Sequence, residues 1–173
     1  VTIEARDTPP LRMNLTVTVW DFALPEEWHF RNILSWHDEW AAKLYGAAWT
    51  PSLEKKFLDF LLDRRINVTS MYEGDEPYAT PERMVELGRR GQNVFVVASM
   101  PSRTRFNANS ERALTRRLSQ VVPALREAGL LSKALVYGWD ERGPEWFTDI
   151  RSAVALLDIR FDGLPLLMAG VDS

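Results

Sequence analysis

The sequence predicts an α/β fold: the first half of a (β/α)8 TIM barrel with about five βα strands, preceded by the end of an all-β element. Short apolar runs that resemble strands alternate with amphipathic segments that resemble helices along most of the chain. A complete barrel needs about 250 residues, whereas this chain has 173. The chain also stops after a fifth apolar run without a following helix, so we expect a piece of a larger barrel.

Two parts of different character divide the chain. We predict that residues 1–27 are the terminal strand or linker of an N-terminal β domain, and that residues 28–173 are the N-terminal half of a catalytic barrel. In the segment RMNLTVTVWDFALP, apolar and polar residues alternate from Leu15 to Val19, which is the period of a half-buried strand. Pro25 closes this predicted strand.

In the second part, apolar runs predict strands within 29–36, 67–74, 93–100, 133–139 and 164–173. Helices are predicted within 38–46, 50–66, 80–91, 110–129 and 143–163. Two of these helices begin with a Thr-Pro pair, Thr50-Pro51 and Thr80-Pro81, in which threonine caps the helix and proline takes its first position. The alternation predicts a parallel sheet with right-handed crossovers, and a complete doubly wound sheet is the alternative.

Composition narrows the class of partner. The formal net charge is −3 and no basic stripe is present, which argues against a nucleic-acid partner. Cysteine is absent, so disulfides and thiolate zinc sites are excluded. No apolar run reaches the roughly 18 residues that a membrane span needs. The seven tryptophans fit either core packing or the flat aromatic faces of a sugar site.

In parallel α/β folds, functional side chains gather where strands end and βα loops begin. This rule selects a set rich in aromatic and acidic residues: Trp36, His37, Asp38, Tyr72, Glu73, Asp75, Ser99, Met100, Arg103, Trp139, Asp140, Glu141, Asp172 and Ser173. The sequence contains no GxGxxG motif, phosphate loop or nucleophile elbow, so we predict no cofactor. We also predict no metal site, because the histidines and carboxylates cannot be placed together.

The adjacent acids Asp140 and Glu141 follow the apolar run ALVYGW directly. Neighbouring residues on a strand point to opposite faces, so these carboxylates share one pocket only if the strand ends there. The following Gly143-Pro144 pair suggests such a turn. A protonated acid beside an ionised neighbour is what glycosidic cleavage requires. The alternative is a solvated loop whose acids favour the positive end of the next helix.

The segments VTVWDFALP, FLDFLLDRRINVTSMYEG and VYGWDERGPEW together resemble the catalytic region of glycoside hydrolase family 123 and its relatives of unassigned function. The resemblance covers nearly all of the chain. It implies a β-sandwich followed by a (β/α)8 barrel, with a W-x-F-x-L-P segment leading into the barrel and an Asp-Glu pair ending its fourth strand. Counted from the run within 29–36, the run that ends at Asp140 and Glu141 is the fourth.

The resemblance implies cleavage of β-linked N-acetylgalactosamine by substrate assistance, one of the exceptions to the two-carboxylate double displacement. Glu141 would be the general acid and then the general base. Asp140 would orient the 2-acetamido group whose carbonyl oxygen attacks the anomeric carbon. The rivals are a barrel glycosidase with a covalent carboxylate nucleophile from the missing half, and a non-catalytic carbohydrate-binding relative.

We expect further residues to bind the carbohydrate substrate. Trp139, Tyr72 and Trp36 are candidates to line the sugar subsite, with core packing as their alternative role. Arg103 and Asn107 follow the third predicted barrel strand and could donate to sugar hydroxyls, or could be ordinary loop residues. We expect the barrel to need the rest of the parent chain for completion, and the resemblance implies an exported protein.

Overall fold

The computed structural model describes residues 1–25, 27–72, 80–100 and 103–169. The α-helices are α1 (Asp38–Tyr45), α2 (Pro51–Leu62), α3 (Pro81–Arg89), α4 (Ala108–Glu127) and α5 (Phe147–Arg160). The strands are β1 (Thr2–Ile3), β2 (Leu11–Arg12), β3 (Leu34–Ser35), β4 (Val68–Thr69), β5 (Phe95–Met100), β6 (Ala134–Gly138) and β7 (Leu166–Leu167). From β3 onward, strands and helices alternate as the sequence predicts.

The N-terminal part differs from its prediction. β1 and β2 form a small antiparallel pair in which Thr2 lies opposite Arg12. The strand predicted from Leu15 to Val19 is wrong: the structure assigns no strand there, and Val19 is 88% exposed. Alternation marks a segment that could cover an apolar surface, but a strand forms only where a paired edge receives it. Within the described residues, this segment has no such edge.

The Thr-Pro pairs begin helices as predicted. The Thr50 hydroxyl oxygen accepts a 3.2 Å hydrogen bond from the backbone N–H of Leu53, and α2 starts at the following proline. The hydroxyl of Thr80 accepts in the same way from the N–H of Arg83 at the start of α3. Each threonine satisfies an N–H group that has no partner inside its helix.

The strands from β3 onward form two parallel sheets, each with its strands in chain order. β3 pairs with β4 (Leu34 opposite Val68), and β5, β6 and β7 form a three-stranded sheet in that order. Side chains connect the two sheets, because the amide of Gln92 donates to the Val68 carbonyl oxygen and the Thr69 hydroxyl accepts from the N–H of Val96. The prediction of parallel strands is therefore confirmed.

Across the two parallel sheets, the two faces are covered differently. One face packs against a large core that includes residues of α2, α3, α4 and α5. The other, which we call the inner face, carries a small cluster of buried residues without a helical member: Val94, Val96, Leu135 and Tyr137, with Ile33 and Met71 packed against them. The inner face is thus covered by side chains from neighbouring strands and their flanking loops.

Buried asparagines join the strands just before they begin. Asn67, which precedes β4, donates through its side chain to Asn93 Oδ1 at 2.8 Å, and its own Oδ1 accepts from the N–H of Asn93. The N–H of Asn67 in turn donates to Asn32 Oδ1 at 3.0 Å. This chain of amides fixes the amino ends of β3, β4 and β5, opposite the end where the predicted site lies.

Candidate active site

β6 ends at Gly138, and the chain then turns sharply through the acid pair. Trp139 and Glu141 both have φ of +52°, in the left-handed region that residues with a Cβ atom adopt at a cost. That cost is about 1–2 kcal/mol per residue. The backbone N–H of Glu141 donates a 2.9 Å hydrogen bond to the carbonyl oxygen of Ala169, beyond β7. The prediction that the strand ends before the acids is confirmed.

The two carboxylates lie in different surroundings. Asp140 is half-buried, whereas Glu141 is exposed. The hydroxyl of Tyr137, three residues earlier on β6, donates a 2.6 Å hydrogen bond to Asp140 Oδ1. The turn therefore leaves Asp140 half-buried against Tyr137 of the inner face and Glu141 exposed to solvent.

The Tyr137 hydroxyl stays protonated, so it can donate a hydrogen bond. Burial raises its pKa above the ordinary value of 10.0, and the hydrogen bond to the Asp140 carboxylate raises it further. The phenol therefore keeps its proton throughout the neutral range and presents it to Asp140. Tyr137 was not among the residues selected from the sequence, although strand alternation from Leu135 would have placed it on the inner face.

Aromatic side chains that follow β3 and β4 reach Tyr137, the residue that donates to Asp140. The Tyr72 ring meets the Tyr137 ring edge to face, with centroids 5.6 Å apart. His37, just after β3, stacks on Tyr72 with centroids 6.2 Å apart and an angle of 17° between the rings. The structure thus brings the predicted Tyr72 against the tyrosine that donates to Asp140. It also adds His37, which lay among the strand-end residues but was not selected as a site residue.

Trp139 anchors the turn from the other face. Its side chain is fully buried in the core shared with the helices, and its ring packs against Phe106. The indole Nε1–H donates a 3.1 Å hydrogen bond to the carbonyl oxygen of Thr104 in the loop after β5. A ring without exposed surface offers no face to a sugar, so Trp139 positions the acids rather than lining a subsite.

The loop after β5 is tied to α5 next to this turn. Asp149 of α5 accepts from the backbone N–H of Phe106 at 2.6 Å and from Arg105 at 2.8 Å. Burial disfavours the Asp149 carboxylate, but these two hydrogen bonds outweigh it and hold the pKa below the ordinary 3.8. The Arg105 guanidinium also lies 4.0 Å from the centroid of the Trp146 ring. The sequence did not predict these contacts, because they join segments that lie far apart in the chain.

The remaining predicted binding residues have other placements. The Trp36 ring packs against Trp49 and Phe57, with centroids 6.0 and 5.8 Å away. Asn107 caps α4, where its Oδ1 accepts from the backbone N–H groups of Asn109 and Ser110. Arg103 is exposed in the turn after β5.

Several other selected residues, Glu73, Asp75, Asp172 and Ser173, lie outside the described residues. Among the described residues, no group of three or more histidines and carboxylates is arranged to hold a metal ion. No helix in the same part of the chain is long and apolar enough to cross a membrane. A groove of about 550 Å³ is lined by α4 residues and Arg160 of α5. None of these residues belongs to the acid–aromatic cluster, the name that we give to Asp140, Glu141, Tyr137, Tyr72 and His37.

Comparison with known proteins identifies no relative: no family model, curated protein or solved structure matches the chain.

Proposed function

We propose that the chain is the first half of a (β/α)8 barrel and belongs to a retaining glycoside hydrolase that cleaves β-linked N-acetylgalactosamine by substrate assistance. One observation carries the proposal. Asp140 and Glu141 directly follow a buried parallel strand, with Asp140 held by Tyr137 and Glu141 exposed. Barrel enzymes place their reacting groups at this end of the strands.

The course of the sheet supports the barrel. Parallel strands follow one another in chain order, and the cluster on the inner face contains no helical residue. A doubly wound sheet has helices on both faces and a point where the strand order reverses. In a barrel, by contrast, helices lie outside and side chains of the strands fill the interior. The rest of the parent chain would complete that interior.

The proposed reaction uses the substrate's own nucleophile. The carbonyl oxygen of the 2-acetamido group attacks the anomeric carbon while Glu141, as a carboxylic acid, protonates the departing glycosidic oxygen. The glycosidic C–O bond breaks and a cyclic oxazolinium intermediate forms. The Glu141 carboxylate then takes a proton from the water that attacks the anomeric carbon, which reopens the ring and gives the product with retained configuration.

The neighbouring side chains complete the proposed sugar site. Tyr72 lies against Tyr137, the donor to Asp140, and is exposed enough to meet a ligand, while His37 stacks behind it. Arg103 could donate to sugar hydroxyls from its exposed turn. Trp139 and the pair of Arg105 and Asp149 hold the loops on either side in place.

Turnover by the complete protein tests this proposal. We expect hydrolysis of an aryl β-N-acetylgalactosaminide, tight inhibition by an N-acetyl-thiazoline, and no turnover of the aryl β-galactoside, which lacks the internal nucleophile. E141Q should abolish hydrolysis, whereas the matched change E145Q at an exposed neighbour should not. Turnover without thiazoline inhibition would support a covalent carboxylate nucleophile. Absence of turnover on every aryl glycoside would support a non-catalytic carbohydrate-binding protein.

A further inference from the structure

A tyrosine on the inner face needs a physical reason. Its neighbours there, Val94, Val96 and Leu135, are apolar and buried, and Tyr137 itself is only 4% exposed. A phenylalanine ring would cover the same surface without bringing a polar group into it. Because buried hydroxyls need a hydrogen-bond partner, the 2.6 Å bond from Tyr137 to Asp140 Oδ1 is the feature that distinguishes the two side chains.

The ring of Tyr137 is fixed more firmly than the acid that it contacts. It belongs to a regular strand and is held edge to face by Tyr72, which stacks on His37. Asp140 lies instead in a turn, between two residues with left-handed backbone conformation. The tyrosine therefore sets where the carboxylate lies, and not the reverse.

We infer that Tyr137 is the positioning residue of Asp140, whose Oδ1 it holds so that Oδ2 is left to accept the N–H of the substrate's 2-acetamido group. This inference rests on the proposed function. With the N–H directed to Oδ2, the carbonyl oxygen on the other side of the amide is directed toward the anomeric carbon. Tyr137 thus acts on the internal nucleophile through Asp140 without touching the substrate, and it favours sugars that carry a 2-acetamido group.

The test compares Y137F with Y45F in the complete protein. Tyr45 packs between Trp49 and Phe57 in the α1 region, outside the acid–aromatic cluster, so the control removes a hydroxyl elsewhere. We expect Y137F to lower kcat/KM on the aryl β-N-acetylgalactosaminide by about 10- to 100-fold, as for loss of a hydrogen bond to a charged group. Thiazoline affinity should fall by a similar factor, since the thiazoline resembles the cyclic intermediate.

A double-mutant comparison separates positioning from general disruption. In a D140N background, Y137F should cost little further activity, because the charged carboxylate that the hydroxyl positions is already absent. Losses that multiply, or a Y137F enzyme as active as Y45F, would overturn the inference and leave the proposed function standing. Inactivity of the wild-type protein on every aryl glycoside would overturn both.

A second variant covers the case in which Y137F does not fold. D140E keeps the charge and moves the carboxylate by one methylene group. If activity depends on the position of the carboxylate, D140E should lose about as much activity as D140N. Near wild-type activity of D140E would contradict the positioning role.

Discussion

Gly138 and Met100 face each other across the β5–β6 pair so closely that a Cβ atom at Gly138 would lie 2.7 Å from the Cβ atom of Met100. These two residues end their strands. The close approach draws the two strand ends together immediately before the acid pair. Only glycine permits this spacing, because a Cβ atom cannot rotate away from its own backbone.

We therefore expect G138A to destabilise the protein by about 1–3 kcal/mol, the usual cost of overpacking a core, and to lower activity by displacing the acids. G88A is the matched control. A Cβ atom there would lie 2.6 Å from a Leu130 methyl group, the end of a flexible side chain that can move. Because alanine suits a helix better than glycine, G88A should be neutral or stabilising by up to about 1 kcal/mol. Equal losses for both variants in denaturant unfolding would contradict this account.

Backbone strain at Glu141 predicts a conflict between stability and function. Glycine adopts the left-handed conformation of this residue without steric cost, although it loses more entropy on folding. E141G should therefore gain about 0.5–1 kcal/mol in the free energy of unfolding while abolishing turnover. E145G changes an exposed glutamate in the nearby Pro144–Trp146 3₁₀ helix, and it should lose stability instead. Chemical unfolding of both variants gives the comparison, and a loss in E141G as large as that in E145G would count against strain at this turn.

The raised pKa of Tyr137 predicts a loss of stability in alkali. The unfolded chain releases this proton at the ordinary pKa of 10.0, whereas the folded chain holds it to higher pH. The stabilising contribution is therefore complete below pH 10 and is lost as pH rises above it. Melting temperatures measured from pH 8 to pH 12 should fall less steeply in Y137F than in the wild type. Parallel curves for the two proteins would contradict the prediction.

The elements that the sequence predicted correctly are those with local causes. A Thr-Pro pair specifies its own helix start, because the cap and the first N–H groups lie within four residues. The apolar runs of β5 and β6 reflect burial on both faces. The predicted strand from Leu15 to Val19 does not form, because a strand needs a partner edge. A local sequence pattern does not show whether such an edge is present.

For the candidate site, the sequence could predict only those residues that come just after a strand. Asp140 and Glu141 are adjacent in the chain, and Tyr72 follows a strand, so the sequence alone could select all three as candidates. Tyr137 was missed, and His37 was selected only as a strand-end residue without a role, because both depend on contacts between side chains of different segments. Trp139 was predicted either to bind sugar or to pack in the core, and its buried ring has the second role, which its position at a strand end does not reveal.

The role of Glu141 as general acid is the central claim, and its dependence on the leaving group tests it most directly. Release of the leaving group in the first turnover, which reports formation of the intermediate before Glu141 is needed as a base, would be compared for wild type and E141Q in the complete protein on N-acetylgalactosaminides with dinitrophenyl and with unsubstituted phenyl leaving groups. Dinitrophenolate departs without a proton, whereas phenolate needs the acid. The account predicts that the intermediate still forms from the dinitrophenyl substrate in E141Q, while cleavage of the phenyl substrate is abolished. Equal loss on both substrates, or none on either, would contradict it.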